Sequence, residues 1–202
     1  MSSIGIYSCA KNNISTEVVD LQRRVFSLYG LSIQQDIVDC SHGDYLNQVL
    51  NSTTKDYVIF FDIDCIPLSA DFYPIIKSDM EKGLLSGAIG CANHLNPHEV
   101  YVHPCFMGFS MQLYNTCGRP DLRNTHIHDT AQSFTRQCID SNQSLKYWEI
   151  SDGGDGAWNM SPRNIRFGHG TVYENMIYHQ YESRIEQYQH AFIEKCKSIL
   201  AV

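Results

Sequence analysis

The clearest break in the pattern of apolar and polar positions is Tyr57-Val58-Ile59-Phe60-Phe61, five apolar residues that run directly into Asp62-Ile63-Asp64. A short run of β-branched and aromatic residues, bounded by Lys55-Asp56 before it and Pro67 after it, predicts a strand buried on both faces of a largely parallel sheet. Upstream, Ile4 to Cys9 predicts a first strand, and Val18, Val19, Leu21, Val25, Phe26, Leu28 and Tyr29 recur at helical spacing until Gly30. Ile33 to Val38 then predicts a second strand and Asp44 to Leu50 a short helix. Strand, helix, strand, helix, strand is the order of a doubly wound α/β half-domain with helices on both faces of a mostly parallel sheet.

Beyond the two acids, Ser69 to Phe72 can cap a helix running to about Met80, which Glu81-Lys82-Gly83 ends. Leu84 to Cys91 reads as a strand, as does the apolar stretch within Val100 to Tyr114, where Gly108 stands between Phe106 and Phe109. A glycine there predicts close approach by a ligand or by packed neighbours. Asp129-Thr130 opens an amphipathic helix with Phe134 and Cys138 inward, and Asp129 suits its N-cap. Leu145 to Ile150 and Ile165 to Val172 predict two more strands, and a helix rich in Glu, Gln and Lys, a solvated covering element, follows from Tyr181.

Composition narrows the function classes. At 202 residues, with 43% hydrophobic and 11% aromatic residues, the chain fits one domain with a real core. A formal net charge of −7 argues against holding nucleic acid by its phosphates, although a nucleotide can still bind through a metal. No stretch approaches the roughly 18 to 20 apolar residues that span a bilayer, and the start lacks the pattern of a secretion signal. Eight scattered cysteines without a CxxC pair suit reduced thiols, so the expected location is the cytoplasm.

The candidate chemistry follows from placement. Asp62 and Asp64 fall at the carboxyl end of the central strand, the edge where open α/β sheets bind ligands. Two acids so close repel one another, and a divalent cation relieves that. Asp152-Gly153-Gly154-Asp155-Gly156 is a tightly turning loop that admits a ligand to the backbone, and Trp158 beside it can stack on a sugar or join the core. Gly168-His169-Gly170 presents an uncrowded imidazole. His94 and His98 have the spacing of a helical zinc pair, but Asn96-Pro97 breaks that helix.

In their order, these features resemble the GT-A type of glycosyltransferase, most closely the large family-2-like group of nucleotide-diphospho-sugar transferases. The likeness runs over about residues 4 to 180: the strand ending at Asp39, the strand ending in Asp62-Ile63-Asp64, and His128-Asp129 followed by Ser133 to Cys138 and Leu145 to Tyr147. It implies a nucleotide-binding half over 1–90, an acceptor-binding half over 91–180 and a terminal helix over 181–202. It implies Mn²⁺ or Mg²⁺ held by Asp62, Asp64 and a late histidine, His169 with His179 competing, against the diphosphate of a UDP- or GDP-sugar. Tyr7, Ser8, Asp39 and Asp62 would stand near the nucleotide, and a carbohydrate or glycoconjugate would be the acceptor. The usual acidic pair before the helix is here His128-Asp129, so Asp129, with Asp155 as second candidate, maps to the catalytic or acceptor-binding acid. A rival reading is a phosphohydrolase of the haloacid-dehalogenase type, with Asp62 as nucleophile and Asp64 as general acid. About sixty residues precede the motif, Ile66 replaces threonine or valine, and the late loop ends in Asn159.

Overall fold

The computed structural model describes residues 2–201. Strand β1 (Ile4–Lys11) pairs in parallel with β2 (Gln34–Val38) on one side and with β3 (Tyr57–Phe61) on the other. Between them run helix α1 (Thr16–Leu28) and helix α2 (His42–Ser52). The Ser15 side chain accepts the Glu17 N–H at the start of α1, and the helix buries Val18, Val19, Leu21, Val25 and Phe26 before Gly30 turns the chain at φ 70°. Helix α2 begins two residues before the predicted start because Ser41 caps it, accepting the Asp44 N–H at 3.1 Å.

The central sheet continues through β6 (Asn96–Ser110), β5 (Leu85–Ala92) and β7 (Leu145–Trp148), in the order β2-β1-β3-β6-β5-β7. Strand β6 runs antiparallel to both its neighbours; the other three pairings are parallel. Val58 to Phe61 are buried, as a strand covered on both faces requires. Helix α3 (Phe72–Glu81) packs Phe72, Ile76 and Met80 on the β3 and β6 face. A Cβ at Gly108 would stand 2.8 Å from Ile76 Cγ1, so that glycine admits α3, not a ligand. On the other face, α4 (Met111–Thr116) and α5 (Gln132–Asp140) bury Leu113, Tyr114, Phe134 and Cys138.

Beyond this sheet, three predictions need correction: the terminal helix starts at Glu186, not at Tyr181, and two of the expected strands are divided. The strand expected over Leu145 to Ile150 ends at Trp148, and β8 (Ile150–Asp152) leaves for a second, antiparallel sheet with β4 (Cys65–Pro67), β11 (Thr171–Tyr173) and β12 (Ile177–His179), in the order β4-β12-β11-β8. The strand expected over Ile165 to Val172 is likewise two: β10 (Ile165–Phe167) pairs with β9 (Trp158–Met160), while β11 belongs to the second sheet. The turn Gly168 to Gly170 separates them, with Gly170 at φ 84°. The terminal helix α6 (Glu186–Leu200) buries Phe192, Ile193 and Cys196 against α1. Among the described residues, no helix is long and apolar enough to cross a membrane.

Candidate active site

Strand β3 ends at Phe61, and the chain turns at once into β4, with Cys65 N–H donating to the Asp62 carbonyl at 3.0 Å. Asp62 is tied to the central sheet by its own N–H, which donates to Cys105 O of β6 at 2.9 Å. From beneath, the Gln22 amide of α1 donates to both the Asp62 and Cys65 carbonyls, at 2.7 and 2.9 Å. The turn is therefore rigid. Because β12 pairs with β4, with His179 opposite Cys65, a residue 115 positions after Asp64 arrives beside it.

Asp62, Asp64 and His179 each offer a ligand atom, all within 4.8 Å of one another. His179 Nε2 stands 3.2 Å from Asp64 Oδ1 and 3.5 Å from Asp62 Oδ2, and His42 Nε2 stands 3.3 Å from Asp62 Oδ1. The second Asp64 oxygen accepts the Ser183 N–H at 3.2 Å. Burial opposes ionisation of Asp64, but the His179 and Ser183 hydrogen bonds outweigh it and hold this carboxyl at about 2. Burial instead raises Asp62 above its ordinary value, against the opposing pull of His42 and His179. Burial also disfavours a charged His179, yet Cys105 and Asp64 beside it raise the imidazole well above its usual value. Two carboxylates and one imidazole, which turns Nε2 toward both acids, make a donor set that fits a divalent cation such as Mn²⁺.

Asp62 and Asp64 line a cleft of about 400 Å³, and His179 is buried beside them. Cys9, Ile14, Val38 and Cys40 supply its apolar wall, and Lys11 and Arg184 bring positive charge. A second cavity, of about 270 Å³, holds Asp129 with His103, Trp158, Phe167 and Tyr181; Glu182 borders both. Asp129 does not cap α5, as predicted: the capping position is Ala131, at φ 62°, and makes no side-chain bond. Instead the Tyr101 hydroxyl donates to Asp129 Oδ2 at 3.0 Å and Thr130 N–H to Oδ1 at 2.8 Å. Burial, then the neighbouring Asp129 charge, pushes the Tyr101 phenol well up, which keeps it a donor.

The other candidate residues lie elsewhere. His169 Nδ1 lies 2.6 Å from Asp155 Oδ2 and Nε2 3.1 Å from Glu182 Oε2, with the carboxylates as acceptors, and its ring stacks on Tyr188 at 3.6 Å. Asp155 also accepts the His169 and Ala157 N–H groups, so this pair fastens the glycine-rich loop to the turn before β11. Burial works against it, but the bonds from His169 hold Asp155 below the ordinary carboxylate range. Gly168 leaves no room beside it: a Cβ there would run into the Asp155 carboxylate. Tyr7 faces away, its hydroxyl 2.9 Å from Thr53 Oγ1, and Ser8 is buried. Asp39 is exposed and is not among the cleft residues, whereas its neighbours Val38 and Cys40 are. Lys11, His42, Arg184 and Glu182 went unmarked in the sequence. The one available signal was the alternation of β1, which puts Cys9 and Lys11, not Ser8, on the cleft side.

No known family profile and no curated protein matches this sequence. Solved structures do. A Drosophila β-1,4-galactosyltransferase 7 mutant in complex with manganese, UDP-galactose and xylobiose aligns with a TM-score of 0.53 at 14% identity, over 91% of this chain and 72% of that one. A 4-diphosphocytidyl-2C-methyl-D-erythritol synthase from Anaerococcus prevotii aligns at 0.52 and 11% identity, over 100% and 99%. A glycosyltransferase involved in glycosylating the major capsid protein of the virus PBCV-1 aligns at 0.50 and 12%, over 96% and 99%. At these identities the likeness is one of fold: the chain has a GT-A-like fold, as its strand order already indicated.

Proposed function

We propose that this chain is a metal-dependent glycosyltransferase that moves a sugar from a nucleoside-diphosphate sugar to a hydroxyl of a carbohydrate or glycoconjugate. The observation that carries the reading is the Asp62, Asp64 and His179 group at the carboxyl end of β3, whose two carboxylates share one cleft with Lys11 and Arg184. Mn²⁺ or Mg²⁺ held by these three residues, with His179 in the place considered for His169, would act as a Lewis acid toward the departing diphosphate. Lys11 and Arg184 add charge that favours the same diphosphate. The apolar wall of Cys9, Ile14, Val38 and Cys40 suits a base or ribose face.

The second cavity is the place for the acceptor. Asp129, oriented by Tyr101 and Thr130, retains lone pairs to take the proton of an acceptor hydroxyl, as an inverting displacement requires. Asp155 has less to offer, because His169 and Ala157 occupy its oxygens. The galactosyltransferase neighbour, captured with manganese, a UDP-sugar and a disaccharide, supports a donor and acceptor of this kind.

The test is turnover with a panel of UDP- and GDP-sugars, Mn²⁺ and simple glycoside acceptors, reading released nucleoside diphosphate with and without EDTA. Metal-dependent release is the expected result. Pyrophosphate released from CTP and a polyol phosphate would assign a nucleotidyltransferase instead, and phosphate released from simple phosphomonoesters would assign a phosphohydrolase using Asp62.

A further inference from the structure

We infer that the second cavity holds a single pyranose unit that carries no acidic substituent, so that the acceptor end of the substrate is a neutral or amino sugar and not a uronate, sialate, sulfated or phosphorylated one. The acceptor role rests on the transferase reading above; the selectivity of the cavity stands on its own lining.

Size comes first. At about 270 Å³ the cavity lies just under the roughly 300 to 1,000 Å³ of pockets that take drug-sized ligands, which leaves room for one ring and not for a chain of them. Its apolar part is aromatic: the half-buried Trp158 lies 5.6 Å from Phe167 and 5.3 Å from Tyr181 between ring centroids, a cluster that gives the C–H face of a sugar ring something to lie on. Polar groups of fixed direction face this cluster. His103 accepts the Cys105 N–H at Nδ1, at 3.1 Å, which leaves Nε2–H to donate; burial disfavours its charged form, but Cys105 beside it raises the imidazole above its usual value. Asp129, with one hydrogen bond on each oxygen, can accept from a sugar hydroxyl.

Charge then decides the class. The cavity is lined by two carboxylates, Asp129 and Glu182, and by no lysine or arginine among the described residues. The cation nearest Glu182 is Arg184, 3.1 Å from its Oε1, and it lines the metal cleft on the other side. His169 faces Glu182 as well, but it is shared with Asp155. His94 and His103 are the remaining titratable side chains on the rim other than Cys91 and Tyr181. A carboxylate or sulfate on the bound ring would thus be desolvated beside two like charges without a lysine or arginine to pair with it, which is a strong element of rejection. An ammonium group meets the opposite situation.

The experiment measures binding alone, by saturation-transfer NMR and calorimetry at pH 8, where an ordinary histidine is neutral, and again in His103→Gln, because Cys105 raises His103 above that ordinary value. The probes are the methyl glycosides of glucose, galactose, xylose, glucosamine and glucuronic acid, each with and without Mn²⁺ and UDP. At least one neutral or amino glycoside should bind, and methyl glucuronide should bind at least tenfold more weakly than methyl glucoside. Asp129→Asn should narrow that gap, and Asp129→Asn with Glu182→Gln should narrow it further. Trp158→Ala should weaken the neutral sugar at least tenfold while Mn²⁺-dependent UDP binding is retained. Glucuronide binding as tight as glucoside, or binding of no glycoside under any of these conditions, overturns the inference. Charge-selective sugar binding by a protein that ignores every sugar nucleotide would keep the cavity's selectivity and remove the transferase reading instead.

Discussion

The cleft around Asp62 and Asp64 and the cavity around Asp129 share a border at Glu182, yet their frames are of different kinds. The cleft is made by the ends of β1, β2 and β3, parallel strands with helices capped by Ser15 and Ser41 between them. The cavity takes Cys91 and His103 from β5 and β6, but the rest of its wall comes from the three-residue strands β9 and β10 and from the consecutive residues Tyr181 and Glu182, both in the left-handed region at φ 42° and 56°. Non-glycine residues held there cost about 1 kcal/mol or more each and persist only where surrounding contacts impose them. In this chain the contacts are the His169 and Arg184 bonds to Glu182 and the Ser183 N–H on Asp64. On the proposed reading, the regular half would present charge for a nucleotide and a metal, and the irregular half what selects the second substrate.

The sharpest way to break this division is at the cation. Asp64→Ala should abolish Mn²⁺-dependent donor binding, by at least about 100-fold, since even partners outside the ligand set cost 10- to 100-fold in metal sites. Calorimetry with Mn²⁺ and a sugar nucleotide reads it, and wild-type affinity in that variant would dismiss the acidic pair as the metal site. At the other side of Glu182, Asp129→Asn should lower turnover by about 10² to 10⁴ with donor and metal binding unchanged, because asparagine keeps the Tyr101 and Thr130 contacts but accepts no proton. Asp155→Asn should lower thermal stability more than turnover. The reverse pattern would hand the base to Asp155.

How far the sequence carried differs between the halves for a physical reason. Tyr57 to Phe61 and the two acids after it were legible because a strand buried on both faces leaves a continuous apolar run, and its end is a fixed place in the fold. The inward positions Phe134 and Cys138 were legible from helical spacing. His179 was only a competitor, because its position depends on the β12–β4 pairing, and nothing local in Ile177 to Gln180 announces a partner more than a hundred residues upstream. Gly168-His169-Gly170 drew attention for a related reason: its first glycine answers to the loop that closes over it, and that need looks the same in sequence as freedom for a ligand. Three-residue strands such as β8 to β12 are too short to show a period at all.

A middle-sized effect separates the two histidines. His179→Ala should weaken Mn²⁺ about 10- to 100-fold. His169→Ala should leave Mn²⁺ affinity within about threefold, since its ring nitrogens face Asp155 and Glu182, and should lower Tm by about 4 to 8 °C, the shift expected of roughly 2 kcal/mol in a chain of this size. The glycoside binding of the second cavity should fall with it, because Glu182 and the glycine loop lose their common tie. Equal loss of Mn²⁺ affinity in both variants would mean that the two halves are not separable.

The smallest effect sharpens the comparison from the side of the cleft, where function is held at some expense of stability. Folding raises the Asp62 carboxyl, burial being the main cause and Asp64 adding to it, so the native chain holds that proton more tightly than the unfolded one. Native stability therefore falls as pH rises through the raised value, and at neutral pH the ionised Asp62 is a net cost. Asp62→Asn removes the ionisation while keeping one acceptor oxygen, for either His42 or His179. Without metal, the variant should melt about 1 to 3 °C higher than wild type at pH 7.5, and this gain should vanish below about pH 4, where the unfolded carboxyl is itself protonated. With Mn²⁺ and a sugar nucleotide the order should invert, because the wild type gains the linkage free energy of a bound ligand and the variant gains much less. Paired melting curves, with EDTA and with the ligands, settle the point: a variant that melts lower than wild type under EDTA would show that Asp62 is held for the fold and not for a cation.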